Sequence, residues 1–228
     1  MKIAILYSGY LRGFSDVKLN HIEFLHCLSE DIRSFVHTWH LLGDAPMDGR
    51  FKGKKTISVI NDLFHPTRNT VSLEVTKHMH AERFKKYVTD RSPQRVNSMF
   101  YSNYKAFELT KEDPYDLFIK CRGDIKFLEH LDPEMIKRSI DEQALVTPNF
   151  GSYHGVNDQF CYGPRAPMKA FCSVFNHLDD LATQVEYKPE LLTMQNLKNN
   201  NISILTDEKV KYVINRGDGA VFDNSGFK

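Results

Sequence analysis

The chain has 228 residues, enough to bury a full core as one large domain or two small ones. Its 30 basic and 29 acidic side chains nearly cancel, which removes any bulk electrostatic case for nucleic acid or an anionic membrane as partner. No window approaches the roughly 18 apolar residues of a membrane span, and the amino-terminal MKIAILYSGYLRGF carries an apolar run without a cleavage site. The expectation is a cytoplasmic protein with no transmembrane segment. Cys27, Cys121, Cys161 and Cys172 are scattered without CxxC spacing, as expected of free buried thiols in a reducing compartment.

In chain order, Lys2 to Tyr7 predicts a first strand that enters the turn Ser8-Gly9-Tyr10-Leu11-Arg12-Gly13. Two glycines around an arginine at a strand end leave a loop open enough for a phosphate or a base to approach. Ile22 to Leu28 continues a helical pattern, and Arg33 to Trp39 predicts strand two. Residues 43 to 54 have loop composition, and the β-branched stretches Thr56 to Ile60 and Val71 to Val75 predict two more strands. Ser92-Pro93 precedes a helix from about Val96 to Lys111. Tyr115 to Phe127, YDLFIKCRGDIKF, reads as a buried strand (Leu117, Phe118, Ile119) running into the polar turn Arg122-Gly123-Asp124, with a second apolar step at Ile125 and Phe127.

Asp132-Pro133-Glu134 supplies an N-cap, a proline at the first helical position and an acid in the first turn. Ala144 to Val146 predicts a short strand, and residues 148 to 167 predict a Gly- and Pro-punctuated loop. Pro167 is expected to open a helix to about Leu181, Pro189-Glu190 another, and Ile202 to Leu205 and Val210 to Ile214 the closing strands. With no repeat and no linker, the expectation is one α/β domain over residues 1–216, with a mixed central β-sheet flanked by helices, and a Gly- and Asp-rich tail over 217–228.

Three constellations carry candidate chemistry. In open α/β sheets, ligands bind at the carboxyl ends of strands, where Asp124 offers a hard carboxylate for a divalent cation and Arg122 a fork for phosphate. The plain alternative is a solvated turn with a local ion pair. On the predicted helix, Tyr101, Lys105 and Glu108 share one face beside an apolar stripe of Phe100, Tyr104 and Phe107, which fits a pocket wall or an amphipathic surface helix. Gly155-Val156-Asn157-Asp158-Gln159 presents three adjacent polar side chains after a glycine. Asp158 suits sugar hydroxyls or an acceptor proton; the plain alternative is an Asx-type turn. His37, His40, His78 and His80 lack companion Cys or acidic spacing for a zinc site. No GxSxG, Walker or dinucleotide motif is present.

In order, SGYLRGF, FVHTW, FYSNYKAFEL, YDLFIKCRGDIKF, GVNDQFCYG and KPELLTMQNLKNNNISI resemble small GT-A-type glycosyltransferases of bacterial surface-polysaccharide clusters and of large DNA viruses of algae, over about residues 1 to 216. The resemblance implies a nucleotide-sugar donor, a divalent cation (Mn²⁺ or Mg²⁺), and sugar transfer to a hydroxyl of a glycan or glycoprotein, in host cytoplasm if the protein is viral. It implies that Ser8, Gly9 and Arg12 hold the nucleotide and that Tyr101 and Lys105 line the donor pocket. Asp124 would hold the metal with Arg122 beside the diphosphate; Asn157 and Asp158 would face the sugar and acceptor, with Glu190 on the acceptor side. Most such enzymes carry Asp-x-Asp where this chain has Arg122-Gly123-Asp124. Metal binding should therefore be weaker, or Arg122 takes part of the metal's work. The alternatives are a catalytically inactive nucleotide-sugar or glycan-binding scaffold and a sugar nucleotidyltransferase; a single basic residue in the turn after strand one counts against the latter.

Overall fold

The computed structural model describes residues 1–11, 13–39, 71–76, 93–111, 113–215 and 221–223. Arg12, His40, His78, His80 and the strand expected at Thr56 to Ile60 lie outside the described residues. A seven-stranded sheet runs through the middle in the order β3-β2-β1-β4-β7-β6-β8. Its strands are β1 (Lys2–Ser8), β2 (Asp31–Trp39), β3 (Val71–Thr76), β4 (Leu117–Cys121), β6 (Leu145–Pro148), β7 (Phe160–Gly163) and β8 (Ile204–Asp207). The chain is a mixed α/β fold in which the sheet is parallel throughout except for β7, which runs antiparallel to both β4 and β6. A second, three-stranded antiparallel sheet joins β5 (Ile125–Phe127), β9 (Tyr212–Asn215) and β10 (Val221–Asp223) in the order β10-β9-β5.

The central strands are apolar on both faces because helices cover both. Ile3, Ile5 and Tyr7 of β1 join Leu117, Ile119 and Cys121 of β4 on the face covered by α1 (Phe14–His26) and α3 (Pro133–Asp141). Helix α1 reaches that face with Phe14, Val17, His21 and Phe24, at helical spacing. Ala4, Leu6 and Phe118 point the other way, toward α2 (Pro93–Glu108), α4 (Arg165–Cys172) and α6 (Pro189–Asn199), while α5 (Val174–Gln184) packs on α2 and α6. Helix α3 starts as its sequence predicts, with Asp132 accepting the Glu134 N–H and proline at the first turn. Among the described residues, no helix is long and apolar enough to cross a membrane.

The structure departs from the sequence reading, or adds to it, at several elements. The stretch read as a loop from 148 to 167 contains β7, a strand only four residues long whose Tyr, Cys and Gly carry no alternating pattern. The helix expected to open at Pro167 begins at Arg165. Proline at the third position removes an N–H that has no intrahelical partner anyway. That helix also ends at Cys172, and Ser173 separates it from α5. Ile125 to Phe127 does not extend the central sheet; it leaves the Arg122-Gly123-Asp124 turn to pair with β9.

Candidate functional site

The chain runs from β1 to β2 on one side and returns to β4 on the other, so the carboxyl ends of β1 and β4 flank the point where strand order reverses. Ser8 pairs with His37 across β1 and β2, and Tyr7 pairs with Cys121 across β1 and β4, which puts Arg122 next in register beside Ser8. Because β7 is antiparallel, its first residue, Phe160, pairs with Cys121. Asp158 and Gln159 therefore arrive at the same edge.

On the β1–β2 side the groups are neutral. Ser8 Oγ donates to Asn103 Oδ1 at 2.6 Å, and the Gly9 N–H donates to Ser102 Oγ at 2.6 Å and to the His37 carbonyl at 3.2 Å. Gly9 sits at φ +95, a conformation that excludes most side chains. Ser102 Oγ lies 3.1 Å from the His37 carbonyl and 2.8 Å from His37 Nδ1, within hydrogen-bond reach of both. Burial, with help from Lys105, pulls the His37 pKa down to about 4. Asn103 Nδ2 and Thr38 Oγ1, both fully buried near this edge, have no hydrogen-bond partner among the described residues.

On the β4 side the groups are charged. Arg122 grips Asp124 with two bonds, Nε to Oδ1 at 2.8 Å and Nη2 to Oδ2 at 2.6 Å. The carboxylate is 2 % exposed and the arginine side chain 28 %. Burial opposes the guanidinium's charge, but Asp124, with Asp158 and Tyr212 behind it, more than offsets this and raises its pKa. The turn is fixed from three sides. The Asn215 N–H donates to the Asp124 carbonyl at 2.7 Å, and Gly123 lies so close to Leu11 that an added Cβ would meet Leu11 Cδ2 at 3.0 Å. Beneath it, His21 Nε2 donates to the Ile125 carbonyl and Tyr7 Oη donates to His21 Nδ1 at 3.0 Å. Burial holds His21 neutral, with its pKa near 4 against the opposing pull of Ile125 and Asp124.

The loop from 149 to 159 brings Asp158 to this edge. Gly155 packs so tightly on the first turn of α6 that a Cβ would sit 2.1 Å from the Glu190 carbonyl oxygen, and Val156 N–H donates to that same oxygen at 3.0 Å. Asn157 is buried. Its Nδ2 donates to the Phe150 carbonyl at 2.8 Å and to Tyr212 Oη at 3.1 Å, and its Oδ1 accepts the Gln159 and Phe160 N–H groups at 2.8 and 3.1 Å. This is the Asx-type turn; the sugar contact expected of Asn157 would require that network to open. Asp158 is partly exposed. The Lys120 ammonium donates to the Asp158 carbonyl and, at 3.1 Å, to the Gln159 carbonyl.

Ser8, Gly9, Arg122, Asp124 and Asp158 thus share one edge of the sheet. Tyr101 and Lys105 are partly buried on α2; the Tyr101 ring packs edge-on against His37 at 5.4 Å and Phe175 at 5.1 Å. Glu190 is buried and contributes its carbonyl to the loop. Sequence reasoning missed Ser102, Asn103, Lys120 and Tyr212. The α2 face that meets β1 and β2 is one position on from the Tyr101 stripe, and a polar pair, Ser102-Asn103, between two tyrosines was the available signal. Three of the four cysteines are buried as expected, their thiols pushed up by burial, while Cys27 is exposed.

The donor set for a divalent cation is thin. Both Asp124 oxygens face Arg122, so a cation there must displace the guanidinium, and the described residues contain no group of three or more His, Cys, Asp or Glu side chains that could hold a metal. The positive charge that a cation would supply is already present as Arg122.

No protein-family model and no curated protein matches the chain. Among solved structures it is similar to apo mouse xyloside xylosyltransferase 1, at 8 % identity over 90 % of this chain and 84 % of that one, with a TM-score of 0.48. It is similar to HddC from Yersinia pseudotuberculosis at 12 % identity over 94 % and 93 %, with a TM-score of 0.46. A protein from Desulfovibrio desulfuricans G20 described as a nucleotide-diphospho-sugar transferase aligns at 14 % identity over 91 % and 80 %, with a TM-score of 0.42. These are likenesses of general shape, and the chemistry of the site is read from the chain's own geometry.

Proposed function

We propose that the chain is a glycosyltransferase that binds a nucleotide-sugar and transfers the sugar to a hydroxyl of a glycan or glycoprotein. The observation that supports this most is the meeting, at one strand-end edge, of a neutral glycine-shaped turn (Ser8, Gly9), a semi-exposed guanidinium (Arg122) and a partly exposed carboxylate (Asp158). The first suits a nucleoside, the second its diphosphate and the third an acceptor hydroxyl.

In the reaction the bond from the anomeric carbon to the phosphate oxygen breaks and a bond to the acceptor oxygen forms. Charge builds on the leaving diphosphate, and Arg122 meets it as a forked donor once its grip on Asp124 loosens. Asp158 takes the acceptor's proton. Tyr101 and Lys105 wall the donor pocket on the α2 side. Asp124, the carboxylate that would hold a divalent cation, is engaged by Arg122.

Calorimetry with UDP-, GDP-, CMP- and dTDP-sugars tests the reading, followed by donor hydrolysis and transfer assays. One donor should bind and be slowly hydrolysed. Asp158→Ala should keep donor affinity within about threefold and lose transfer. Binding without turnover by the wild type would leave a scaffold, and release of pyrophosphate from a nucleoside triphosphate and a sugar phosphate would mark a nucleotidyltransferase.

A further inference from the structure

Lys120 is out of place by every rule of core construction. It lies inside β4, between Ile119 and Cys121, opposite Leu6 on one neighbouring strand and Cys161 on the other. It is 1 % exposed, on the face that Phe118, Met168 and Phe171 make apolar. Among the described residues no carboxylate forms an ion pair with it, and its ammonium donates to the Asp158 and Gln159 carbonyl oxygens. Burial accordingly pushes its pKa down, with Asp158 and Cys161 opposing. Burying an ammonium with carbonyl oxygens as its only direct partners among the described residues is unfavourable, and a methionine would fill the same strand position without that penalty. Stability does not account for a lysine here.

Its bonding pattern does. Lys120 takes the carbonyls of Asp158 and Gln159, while Asn157 Oδ1 takes the N–H groups of Gln159 and Phe160. The backbone that follows the Asp158 side chain is therefore held from both its donor and its acceptor sides. Only the carboxylate is left to project, within electrostatic reach of Arg122 and Tyr212. We propose that Lys120 is a positioning residue: it fixes Asp158 from inside the sheet so that its carboxylate meets the acceptor hydroxyl. This rests on the reading of Asp158 as the group that takes the acceptor's proton.

The test compares Lys120→Met, which fills the space without donating, with Lys120→Gln, which keeps an N–H donor on a side chain one bond shorter. Lys120→Met should melt at or above the wild-type temperature and bind the donor within about threefold, yet lose about 100-fold in kcat for transfer with donor KM unchanged. Lys120→Gln should recover part of that loss. Hydrogen exchange gives a readout that needs no activity: the Gln159 and Phe160 amides should exchange about tenfold faster in Lys120→Met, with the other β4 and β7 amides unmoved. Wild-type kcat in Lys120→Met, or loss of cooperative melting in both variants, overturns the proposal, the latter by making Lys120 a purely structural residue. If wild type binds no donor, the functional reading fails; unchanged exchange at Gln159 and Phe160 would then show independently that Lys120 does not hold the loop.

Discussion

Two turns at neighbouring strand ends solve the same problem in opposite ways. After β1, Ser8 and Gly9 are held by the neutral hydrogen bonds they donate to Asn103, Ser102 and the His37 carbonyl, and the histidine stays uncharged because it is buried. After β4, Arg122 and Asp124 hold each other with full charges, one partner semi-exposed and the other sealed. The first turn is shaped by neutral geometry alone, with Asn103 Nδ2 a donor without a partner beside it among the described residues. The second stores a charge whose availability depends on breaking a pair. A ligand's neutral end should therefore find a ready site and its anionic end a competitive one.

The largest expected effect lies on the charged side. Arg122→Ala strands a nearly sealed carboxylate and should cost about 3–5 kcal/mol in urea unfolding, and it should abolish donor binding by calorimetry. Adding Asp124→Asn should return much of the stability but none of the affinity. Recovery of affinity in the double variant would mean that Arg122 serves only to neutralise Asp124, and the contrast between the turns would collapse.

Next comes acid. His37 in the neutral turn and His21 beneath the charged one both titrate near 4 in the folded chain, against 6.5 when free. Below 6.5 the unfolded chain takes up these protons and the folded one does not. The stability they carry is thus complete above 6.5 and erodes as pH falls toward 4, by about 3 kcal/mol for each histidine. Urea titrations at pH 7.5 and 4.5 should show that loss, and His21→Asn and His37→Asn should each flatten part of it. An unchanged pH profile in His37→Asn would mean that the β1–β2 turn is open to solvent.

Much of this was legible in the chain. β1, β2 and β4 are short apolar runs ended by turn residues, and Asp132-Pro133 announced its helix. The Arg122-Gly123-Asp124 turn was legible as a place but not as a state. Two residues apart in a tight turn, a guanidinium and a carboxylate can face a ligand or each other, and only the closure of β5 onto β9 decides for the latter. Lys120 simply follows the apolar run Leu117 to Ile119 in the sequence; its meaning depends on β7 bringing the 158 and 159 carbonyls alongside, a pairing between residues about forty apart with no local signal. Asn157 was visible as polar, but whether it served a turn or a ligand required knowing where Tyr212 lay.

Two smaller effects sharpen the contrast. Ser8→Ala removes the donor to Asn103 Oδ1 and leaves that buried amide without a hydrogen-bond partner among the described residues, which should cost about 1–2 kcal/mol of stability and a few-fold in nucleoside affinity. The smallest effect should come from chelation. A divalent cation adds affinity only if it finds oxygen that nothing else holds, and at Asp124 it competes with a bidentate guanidinium already in place. Donor affinity measured with excess EDTA and with Mn²⁺ should differ by less than about threefold. In Arg122→Met, where the carboxylate is released, Mn²⁺ should instead bind and restore part of the lost affinity. Strong Mn²⁺ dependence in the wild type would mean that the cation displaces Arg122 from Asp124 on donor binding, and the β4 turn would then be a metal site that its own arginine guards.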